Sequence, residues 1–490
     1  MPHADLWEFV SKLGSWQSRP GPTYRKLAEA IREEVSSGNL PLGASIPAER
    51  KLAEALSVSR TTVVGAYEAL RADGWIESVQ GSGTRISRSD LPPTGTSRRD
   101  PDSNRRHTAF RGLIESNPST ISFLGLHLPA ISPEFEDAFR ETARDLKSLL
   151  RHHGYTGLGL PALHEAIASH ISDSGLPTKA EEILVTHGAQ QAIGLAASVL
   201  LRPGDAVALE DPTYLGAIDV FASAGARLIP IPVGEEGVRP DRLSEALARE
   251  NPRLVYLMPT FQNPVGTVLS PDARREVARI ADQHGTTILE DGTLEDLSFG
   301  RRPPPPLAAF SRSGRVISVG SLSKLIWGGL RVGWLRAPEA LLAPLANLKV
   351  MGDLGNSAIS QAVAVRLLRR ARGIRERRRE QIQERFDLLA AELSAQLPGW
   401  VWKRPLGGLS LWVHLPHGDA EDFAPLALRH GVAILPGSTC SPTGRFSEYL
   451  RLPFCLEPQQ IRDGVRRLAR AWRAYEPAPK ASRAGLHVVV

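Results

Sequence analysis

The chain has 490 residues, of which 42% are hydrophobic and 23% are charged, so it is long enough for two to four globular domains and is not one small module. Its 59 Lys and Arg residues exceed its 53 Asp and Glu residues, which gives a formal net charge of +6. This mild excess of positive charge permits nucleic-acid binding without requiring it.

Two further features argue against a secreted or membrane protein. The two cysteines, Cys440 and Cys455, provide neither a disulfide framework nor a clustered thiolate metal site. The longest apolar runs, such as residues 192–201, fall well short of the roughly 20 residues that span a bilayer, and charged residues interrupt the N-terminal segment. We therefore expect a cytoplasmic protein without a metal site.

Residues 1–87 are predicted to form a helical head that ends in a β-hairpin. Apolar residues at helical spacing predict a first helix, a second helix over residues 50–56 and, after a short break, a third helix that Ser59 could cap. Two helices joined by so short a turn indicate a helix-turn-helix, and the alternating residues on either side of Gly81-Ser-Gly83 indicate a wing. The spaced residues of the first and third helices are Tyr24, Leu27, Ala28, Ile31 and Val35, and Val63, Ala66, Tyr67 and Leu70.

The head carries polar side chains where a DNA-binding protein needs them. Ser59, Arg60 and Thr61 stand at the start of the third helix, the end that enters the major groove in such domains. Arg50, at the start of the second helix, could bind a phosphate or a guanine, and Gly81 would let the wing tip approach the minor groove. Each residue alone is better explained as a solvated surface residue or a hairpin glycine. The helix-turn-helix followed by a wing makes DNA binding the favoured interpretation.

These residues resemble a known family. Five segments are similar to the winged helix-turn-helix signature of the GntR family of bacterial transcription factors, over about residues 23–87. The resemblance implies DNA contacts by Arg50, Arg60, Thr61 and the wing tip at Gly81. The five segments are Pro47-Ala-Glu-Arg-Lys-Leu-Ala53, Val58-Ser-Arg-Thr-Thr-Val63, Ala66-Tyr-Glu-Ala-Leu70, Asp73-Gly-Trp75 and Gly81-Ser-Gly-Thr84.

A change of composition separates the head from a larger body. Residues 88–119 lose hydrophobic periodicity and are rich in Asp, Pro, Gly, Ser and Arg, which predicts a flexible linker. Residues 120–475 alternate short apolar strands with helical stretches, which predicts an α/β fold with a mostly parallel sheet and helices on both faces. A smaller α+β subdomain with strands at residues 409–414 and 449–453 follows, and residues 476–490 are predicted to form a tail. The strand candidates of the main sheet are residues 183–186, 206–209, 227–230, 254–258, 287–290 and 316–319.

Lys324 follows the strand at residues 316–319, and ligands gather at the carboxyl ends of such strands. A lysine that loses its proton there can form an imine with the aldehyde of pyridoxal 5'-phosphate (PLP). This cofactor needs a phosphate site, a carboxylate at its pyridine nitrogen, a donor to its ring hydroxyl and a group stacked on its ring. The sequence offers a candidate for each.

Candidates for the phosphate site lie after two strands. The segment Gly188-Ala189-Gln190 opens a helix directly after a strand, and backbone N–H groups at such a helix start bind phosphate. Ser321, Ser323 and Arg331 surround Lys324 in the sequence and would complete the site.

Candidates for the ring contacts follow other strands. Asp291 ends the strand at residues 287–290, and its carboxylate can hold the pyridine nitrogen protonated. Asn263, in a Gln-Asn-Pro sequence, could donate to the ring hydroxyl, and Tyr214 could stack on the ring. Each residue alone has an ordinary explanation as a loop cap, a turn residue or core packing. Their joint order along the strand and helix alternation favours the cofactor interpretation.

This order resembles the fold-type I PLP enzymes of the aminotransferase class over roughly residues 120–475. The resemblance implies an internal aldimine at Lys324, with Asp291 as the pyridinium partner and Asn263 as the donor to the ring hydroxyl. It also implies that Arg451 clamps the carboxylate of a substrate or effector, a role that suits a bidentate guanidinium group. The implied phosphate contacts are Ala189, Gln190, Ser321, Ser323 and Arg331.

Three positions depart from the pattern of this family. Thr293 stands two residues after Asp291, where relatives of the MocR type usually carry a tyrosine that bonds the ring hydroxyl, so we expect slow turnover. His187 precedes Gly188 at a position where a small hydroxyl residue is common. Tyr155 belongs to a segment similar to the family's tyrosine-glycine motif, but the spacing is one residue short, which weighs against a phosphate contact.

A winged helix joined through a linker to an aminotransferase-like body resembles the MocR subfamily of GntR regulators. The resemblance implies a PLP-dependent transcriptional regulator that binds double-stranded operator DNA, senses PLP or an amine or amino acid effector, and forms a homodimer. An active aminotransferase that carries a DNA-binding head is the alternative. A third interpretation, a dimerisation scaffold that has lost the cofactor, is disfavoured by the retained Lys324 and Asp291.

Overall fold

The computed structural model describes residues 6–475 except residues 14–15, 17–21, 38, 42, 73–74, 80–82, 88–118, 152 and 301. The chain divides into two compact units, residues 1–99 and 100–490. Apart from Ser119, the predicted linker and the predicted tail lie outside the described residues. Within the described ranges, no helix is long and apolar enough to cross a membrane.

The N-terminal unit has the predicted helices and hairpin. Residues 56–59 alone separate α3 from α4, which confirms the helix-turn-helix. Strands β1 and β2 pair antiparallel with Ile76 opposite Ile86, and the wing tip at Gly81 lies outside the described residues. The elements of this unit are α1 (Leu6–Lys12), α2 (Thr23–Ser36), α3 (Glu49–Ala55), α4 (Arg60–Ala72), β1 (Ile76–Val79) and β2 (Gly83–Ile86).

The core of this unit is built from the apolar faces of its helices. Of the residues that the helical spacing singled out, Tyr24 is partly buried and the others are buried. The hydroxyl group of Tyr67 donates a hydrogen bond of 2.8 Å to the carbonyl oxygen of Pro47, just before α3. This bond holds α4 against the chain that enters α3.

The C-terminal unit is organised around an eight-stranded sheet with the order β4-β11-β10-β9-β8-β5-β6-β7. The central strands β10, β9, β8, β5 and β6 pair parallel, while β11 is antiparallel to both of its neighbours. The mostly parallel sheet is therefore confirmed. The strands are β3 (Ile121–Ser122), β4 (Ile183–Thr186), β5 (Ala206–Asp211), β6 (Arg227–Gly234), β7 (Gly237–Val238), β8 (Leu254–Leu257), β9 (Thr287–Asp291), β10 (Val316–Ser321) and β11 (Gly333–Arg336).

Helices cover both faces of this sheet. On one face, Tyr256 and Leu289 belong to the same buried cluster as residues of α8 and α9, and on the other face Val255 and Ile288 cluster with residues of α10 and α11. The helices up to this layer are α5 (Glu134–Arg144), α6 (Leu146–Leu149), α7 (Pro161–Asp173), α8 (Ala189–Leu200), α9 (Leu215–Ser223), α10 (Pro240–Glu250) and α11 (Pro271–His284).

The predicted α+β subdomain follows the main sheet. Its four-stranded antiparallel sheet has the order β12-β13-β16-β15, and Arg451 in β16 pairs with Trp412 in β13. The remaining elements are α12 (Leu322–Leu325), α13 (Glu339–Asp353), α14 (Ala358–Leu368), α15 (Ala371–Gln396), β12 (Val401–Trp402), β13 (Ser410–His414), α16 (Ala420–Arg429), β14 (Val432–Ala433), β15 (Leu435–Pro436), β16 (Tyr449–Pro453) and α17 (Pro458–Arg473).

Candidate functional site

A cavity of about 630 Å³ lies at the carboxyl ends of the central strands in the C-terminal unit. Parallel strands bring their carboxyl ends to one edge of the sheet, so residues that are far apart in the sequence meet there. All the residues predicted to contact the cofactor or a carboxylate line this cavity. They are Ala189, Gln190, Tyr214, Asn263, Asp291, Ser321, Ser323, Lys324, Arg331 and Arg451.

Tyr155 is not one of the residues that line the cavity. Its side chain is 65% exposed, and its ring stacks on the ring of His153 with 6.1 Å between centroids. Within a single chain, Tyr155 therefore does not join the candidate phosphate residues that line the cavity.

Lys324 lies in α12, the short helix that begins directly after β10. The hydroxyl oxygen of Ser321 caps this helix by accepting a hydrogen bond of 3.1 Å from the backbone N–H of Ser323. The Lys324 ammonium group donates a hydrogen bond of 2.7 Å to the carbonyl oxygen of Leu126. Burial lowers the pKa of Lys324 to about 8, so the neutral and nucleophilic amine is accessible near neutral pH.

Arg378 supports the segment that carries Lys324, a role that the sequence interpretation did not foresee. The side chain is fully buried on α15, and its guanidinium group donates to the carbonyl oxygens of Leu325, Ile326 and Pro129 at 2.8–3.0 Å. Arg378 belongs to an arginine-rich stretch of α15 that also contains the buried Ile374. Arg378 lies four residues after this buried isoleucine, on the same helical face, and that spacing could have revealed its burial but not its partners.

The predicted phosphate site lies where α8 begins and where the chain passes Arg331. Gly188 has a φ of 98°, and a Cβ atom there would lie 3.3 Å from the Arg331 guanidinium group. Arg331 itself has a φ of 53° and donates to the carbonyl oxygen of His187. The first N–H groups of a twelve-residue helix, two serine hydroxyls and an arginine thus surround one end of the cavity, which suits a phosphate.

Asp291 accepts three hydrogen bonds from described residues. The hydroxyl of Tyr256 donates to Oδ2 at 2.7 Å, while the backbone N–H and the hydroxyl of Thr293 donate to Oδ1 at 3.0 and 2.5 Å. Burial and the nearby charge of Asp291 raise the pKa of Tyr256, so its phenol stays protonated as the donor. Because a carboxylate offers about four lone-pair positions, one acceptor position remains for a protonated pyridine nitrogen.

Tyr256 was missed in the sequence interpretation. It pairs with Leu289, two residues before Asp291, on the neighbouring strand. Side chains two residues apart on a strand share one face, so Tyr256 and Asp291 lie on the same face of the sheet. This relation depends on the strand order, which the sequence alone did not provide.

Arg451 has a buried donor that fits an anionic ligand. One terminal nitrogen of the guanidinium group donates to Asn263 Oδ1 at 3.3 Å, and the other donates to the carbonyl oxygen of Leu124. Its Nε–H group finds no hydrogen-bond partner among the described residues, although the residue is only 2% exposed. A buried donor without a partner costs about 1–3 kcal/mol. The two terminal nitrogens each keep a second N–H group, and Arg451 lines the cavity, so the guanidinium group suits a carboxylate ligand.

Two residues predicted to contact the ring of the cofactor, Asn263 and Tyr214, are each held by a hydrogen bond to a neighbouring side chain. Because Asn263 Oδ1 accepts from Arg451, its NH₂ group is the part that can donate into the cavity. The hydroxyl of Tyr214 donates to Gln190 Oε1 at 3.0 Å. The ring of Tyr214 covers Gly216, since a Cβ atom at that glycine would lie 2.5 Å from it. Tyr214 is thus fixed at its hydroxyl end, and its ring lines the cavity.

In the N-terminal unit, α4 begins at Arg60, and the hydroxyl oxygen of Ser59 accepts a hydrogen bond of 3.1 Å from the backbone N–H of Thr62. This bond confirms Ser59 as the N-cap. Arg60 lies 3.4 Å from a Glu49 carboxylate oxygen and keeps 69% of its side chain exposed. Thr61 is exposed as well, and so is Arg50 on α3.

Comparison with known proteins assigns both units. Residues 132–468 match the aminotransferase class I and II family, and residues 23–86 match the gntR family of bacterial regulatory proteins. The uncharacterized HTH-type transcriptional regulator YdfD of Bacillus subtilis is 29% identical, over 88% of this chain and 92% of its own length. The probable rhizopine catabolism regulatory protein MocR of Rhizobium meliloti is 33% identical, over 65% of this chain and 66% of its own length. The chain belongs to the MocR subfamily of GntR regulators.

The body of this MocR chain is also similar to a solved enzyme structure. LysN, the α-aminoadipate aminotransferase of Thermus thermophilus, superposes with a TM-score of 0.69 at 33% identity, over 76% of this chain and 96% of that structure. The LysN structure is a complex with N-(5'-phosphopyridoxyl)-L-leucine. The MocR chain is therefore a GntR-type DNA-binding regulator fused to an aminotransferase-like domain.

Thr293 is the departure from the MocR pattern with the clearest structural consequence. Its hydroxyl proton is directed to Asp291, so this hydroxyl is not free to donate a hydrogen bond into the cavity. A second departure, His187, has its imidazole 3.4 Å from Asp353, and its carbonyl oxygen accepts a hydrogen bond from Arg331.

Proposed function

We propose that this regulator binds PLP covalently at Lys324 and uses the bound cofactor to sense an amino compound. The observation that carries the proposal is the convergence of Lys324, Asp291, Arg331 and Arg451 on one cavity. Each of these groups is charged or readily charged, and together they match the aldehyde, pyridine nitrogen and phosphate of PLP and the carboxylate of an amino acid.

The residues fit the cofactor in both charge and hydrogen bonding. The start of α8, Ser321, Ser323 and Arg331 would hold the phosphate, and Asp291 would hold the protonated pyridine nitrogen. PLP supplies an aldehyde that condenses with primary amines when it is bound. The lowered pKa of Lys324 keeps a fraction of its amine neutral for that condensation.

The exposed donors of the N-terminal unit support operator binding. Arg60 and Thr61, at the start of α4, are proposed to read bases in the major groove, with Ser59 capping the helix beside them. Arg50 on α3 is proposed to bind the DNA backbone or a guanine. The proposal for Gly81, a minor-groove contact at the wing tip, rests on the sequence resemblance alone.

An exposed apolar patch supports the proposed homodimer. Tyr155, Leu158, Met351 and Leu354 are each more than half exposed. Their two segments lie side by side, because the hydroxyl of Thr156, next to Tyr155, donates to a carbonyl oxygen two residues after Leu354 at 3.1 Å. A contiguous apolar patch of this kind is typical of a protein–protein interface.

The cofactor part of the proposal can be tested on the purified full-length protein. After incubation with PLP the protein should be yellow, and reduction with borohydride should fix the cofactor to the peptide that contains Lys324. The Lys324→Ala variant should lose the adduct, whereas Lys403→Ala, which removes an exposed lysine of the same unit, should keep it. A wild-type protein without a reducible adduct would overturn the proposal.

A further inference from the structure

Two short segments, residues 125–128 and residues 324–327, form the wall of the cavity beside the Lys324 amine. Residues 125–128 lie next to the lysine, because its Nζ donates a hydrogen bond of 2.7 Å to the carbonyl oxygen of Leu126. Trp327 follows the lysine by three residues and also lines the cavity. Arg378 binds backbone carbonyl groups at the ends of both segments. The two segments are therefore held together as one wall.

Trp327 gives this wall a large apolar surface. Its ring packs edge-on against Phe135 with 5.5 Å between centroids, and it covers Gly329, where a Cβ atom would lie 2.4 Å from the indole. The residue nevertheless remains 40% exposed. His127 and Leu128 line the cavity on the other segment. A ring that is fixed on two sides and open on the rest is a preformed contact surface for an apolar group.

The charged side chains that line the cavity determine which charged groups a ligand can carry. Four residues are involved, namely Lys324, Asp291, Arg331 and Arg451, and the proposed function uses the first three for PLP. Arg451 is left for one carboxylate, and its buried Nε–H group lacks a partner among the described residues. No other Lys or Arg belongs to the described lining of the cavity. A second carboxylate on the ligand would lose its hydration and would find only the imidazole of His127, which is a cation only when protonated, as a further partner.

We propose that the effector is an α-amino acid with a large uncharged side chain, aromatic or branched aliphatic. Its carboxylate binds Arg451, its amino group reaches the position of the Lys324 amine, and its side chain packs on Trp327. This inference rests on the proposed function, because the amino group is recognised through bound PLP. It goes further by excluding dicarboxylic amino acids and simple amines as the preferred effectors.

The inference can be tested by visible absorbance titration of the PLP-loaded full-length protein. L-phenylalanine and L-leucine should change the spectrum at concentrations at least about tenfold lower than L-alanine, because they bury an additional apolar side chain. L-glutamate and L-2-aminoadipate should be no better than L-alanine, and phenethylamine, which lacks the carboxylate, should be weaker than L-phenylalanine.

Substitutions at position 327 test whether Trp327 forms the surface that binds the side chain of the effector. Trp327→Ala should reduce the preference for L-phenylalanine over L-alanine by about tenfold, and Trp327→Phe should keep most of it. The control Phe139→Ala removes a 53% exposed aromatic side chain that does not line the cavity, and it should leave the preference unchanged.

Three outcomes would overturn the inference. Binding of L-glutamate as tightly as L-phenylalanine would exclude an uncharged effector, and an unchanged preference in Trp327→Ala would exclude the tryptophan surface. If PLP binds but no amino acid alters its spectrum, this inference fails while the cofactor part of the proposed function stands. If PLP forms no adduct at all, both fail.

Discussion

The hydroxyl of Tyr256 donates a hydrogen bond of 2.7 Å to Oδ2 of Asp291, from one strand of the central sheet to its neighbour. Together with the two donors of Thr293 on Oδ1, this bond fixes the orientation of the carboxylate and stabilises its negative charge. The anion is the form that would hold a protonated pyridine nitrogen.

Tyr256→Phe tests this relationship. Removal of the hydroxyl takes one donor from a buried carboxylate, an interaction worth about 1.5–3 kcal/mol, so PLP affinity should weaken roughly tenfold or more. The measurement is an absorbance titration of the apo protein with PLP. Tyr449→Phe removes a phenol outside the cavity lining and should bind PLP normally. Equal PLP affinity for Tyr256→Phe and the wild type would remove Tyr256 from the site.

The pH dependence of cofactor attachment should reveal the buried lysine. Only the neutral amine attacks the aldehyde, and the pKa of Lys324 is lowered to about 8. The rate of adduct formation should therefore rise about tenfold per pH unit below pH 8 and level off above it. With an exposed lysine, the rate of adduct formation would continue to rise up to about pH 10.4. Stopped-flow absorbance with the full-length apo protein measures the profile, and a rate still rising steeply at pH 9.5 would contradict the burial argument.

Thr293 should make this protein a slow transaminase. A hydroxyl group has one proton, and that of Thr293 is directed to Asp291, which leaves Asn263 as the donor to the ring hydroxyl. Single-turnover transfer of an amino group to bound PLP should be slow in the wild type, and Thr293→Tyr should accelerate it at least about tenfold. Thr293→Val, which has neither the hydroxyl of threonine nor that of tyrosine, should not accelerate the transfer.

Two results would change this account of turnover. Rapid multiple turnover by the wild type with any pair of amino and keto acids would favour the alternative of a working aminotransferase that carries a DNA-binding head. A Thr293→Tyr variant that is no faster than the wild type would show that Thr293 is not the cause of slow turnover.

Arg60 should contribute to base choice as well as to affinity. Its position in the first turn of α4 and its exposed guanidinium group suit a bidentate contact with guanine. Arg60→Ala should cost about 1–3 kcal/mol in operator binding and relax the preference at one base pair, whereas Arg71→Ala in the last turn of the same helix should have little effect on the preference. A mobility-shift assay with single-base operator variants measures both, and an unchanged base preference in Arg60→Ala would refute the contact.

Residues that follow strands were predictable from the sequence because one physical rule brings them together. Lys324, Asp291 and Asn263 each follow an apolar strand, and parallel strands bring their carboxyl ends to a common edge. This prediction holds whatever the order of the strands in the sheet. Strand β11 was not predicted. It runs antiparallel to β10 and begins a few residues after Lys324, so no helical crossover in the sequence pattern separates the two strands.

Partners that lie far away in the sequence were not predictable. Leu126, whose carbonyl oxygen binds the Lys324 ammonium group, is separated from it by 198 positions, and Arg378 binds Pro129 across 249 positions. No local periodicity encodes such contacts. They arise only when the small subdomain and the N-terminal part of the body pack against the sheet.

Coupling between the cavity and DNA binding is the central claim, because a sensor must bind its effector and its operator with mutual dependence. The decisive measurement is the operator affinity of the PLP-loaded full-length protein with and without saturating L-phenylalanine or L-leucine, compared with Lys324→Ala. The account predicts a change of at least about fivefold in the wild type and none in Lys324→Ala, at constant salt concentration. An operator affinity that is the same with and without these amino acids in the wild type, or an equal change in Lys324→Ala, would contradict it.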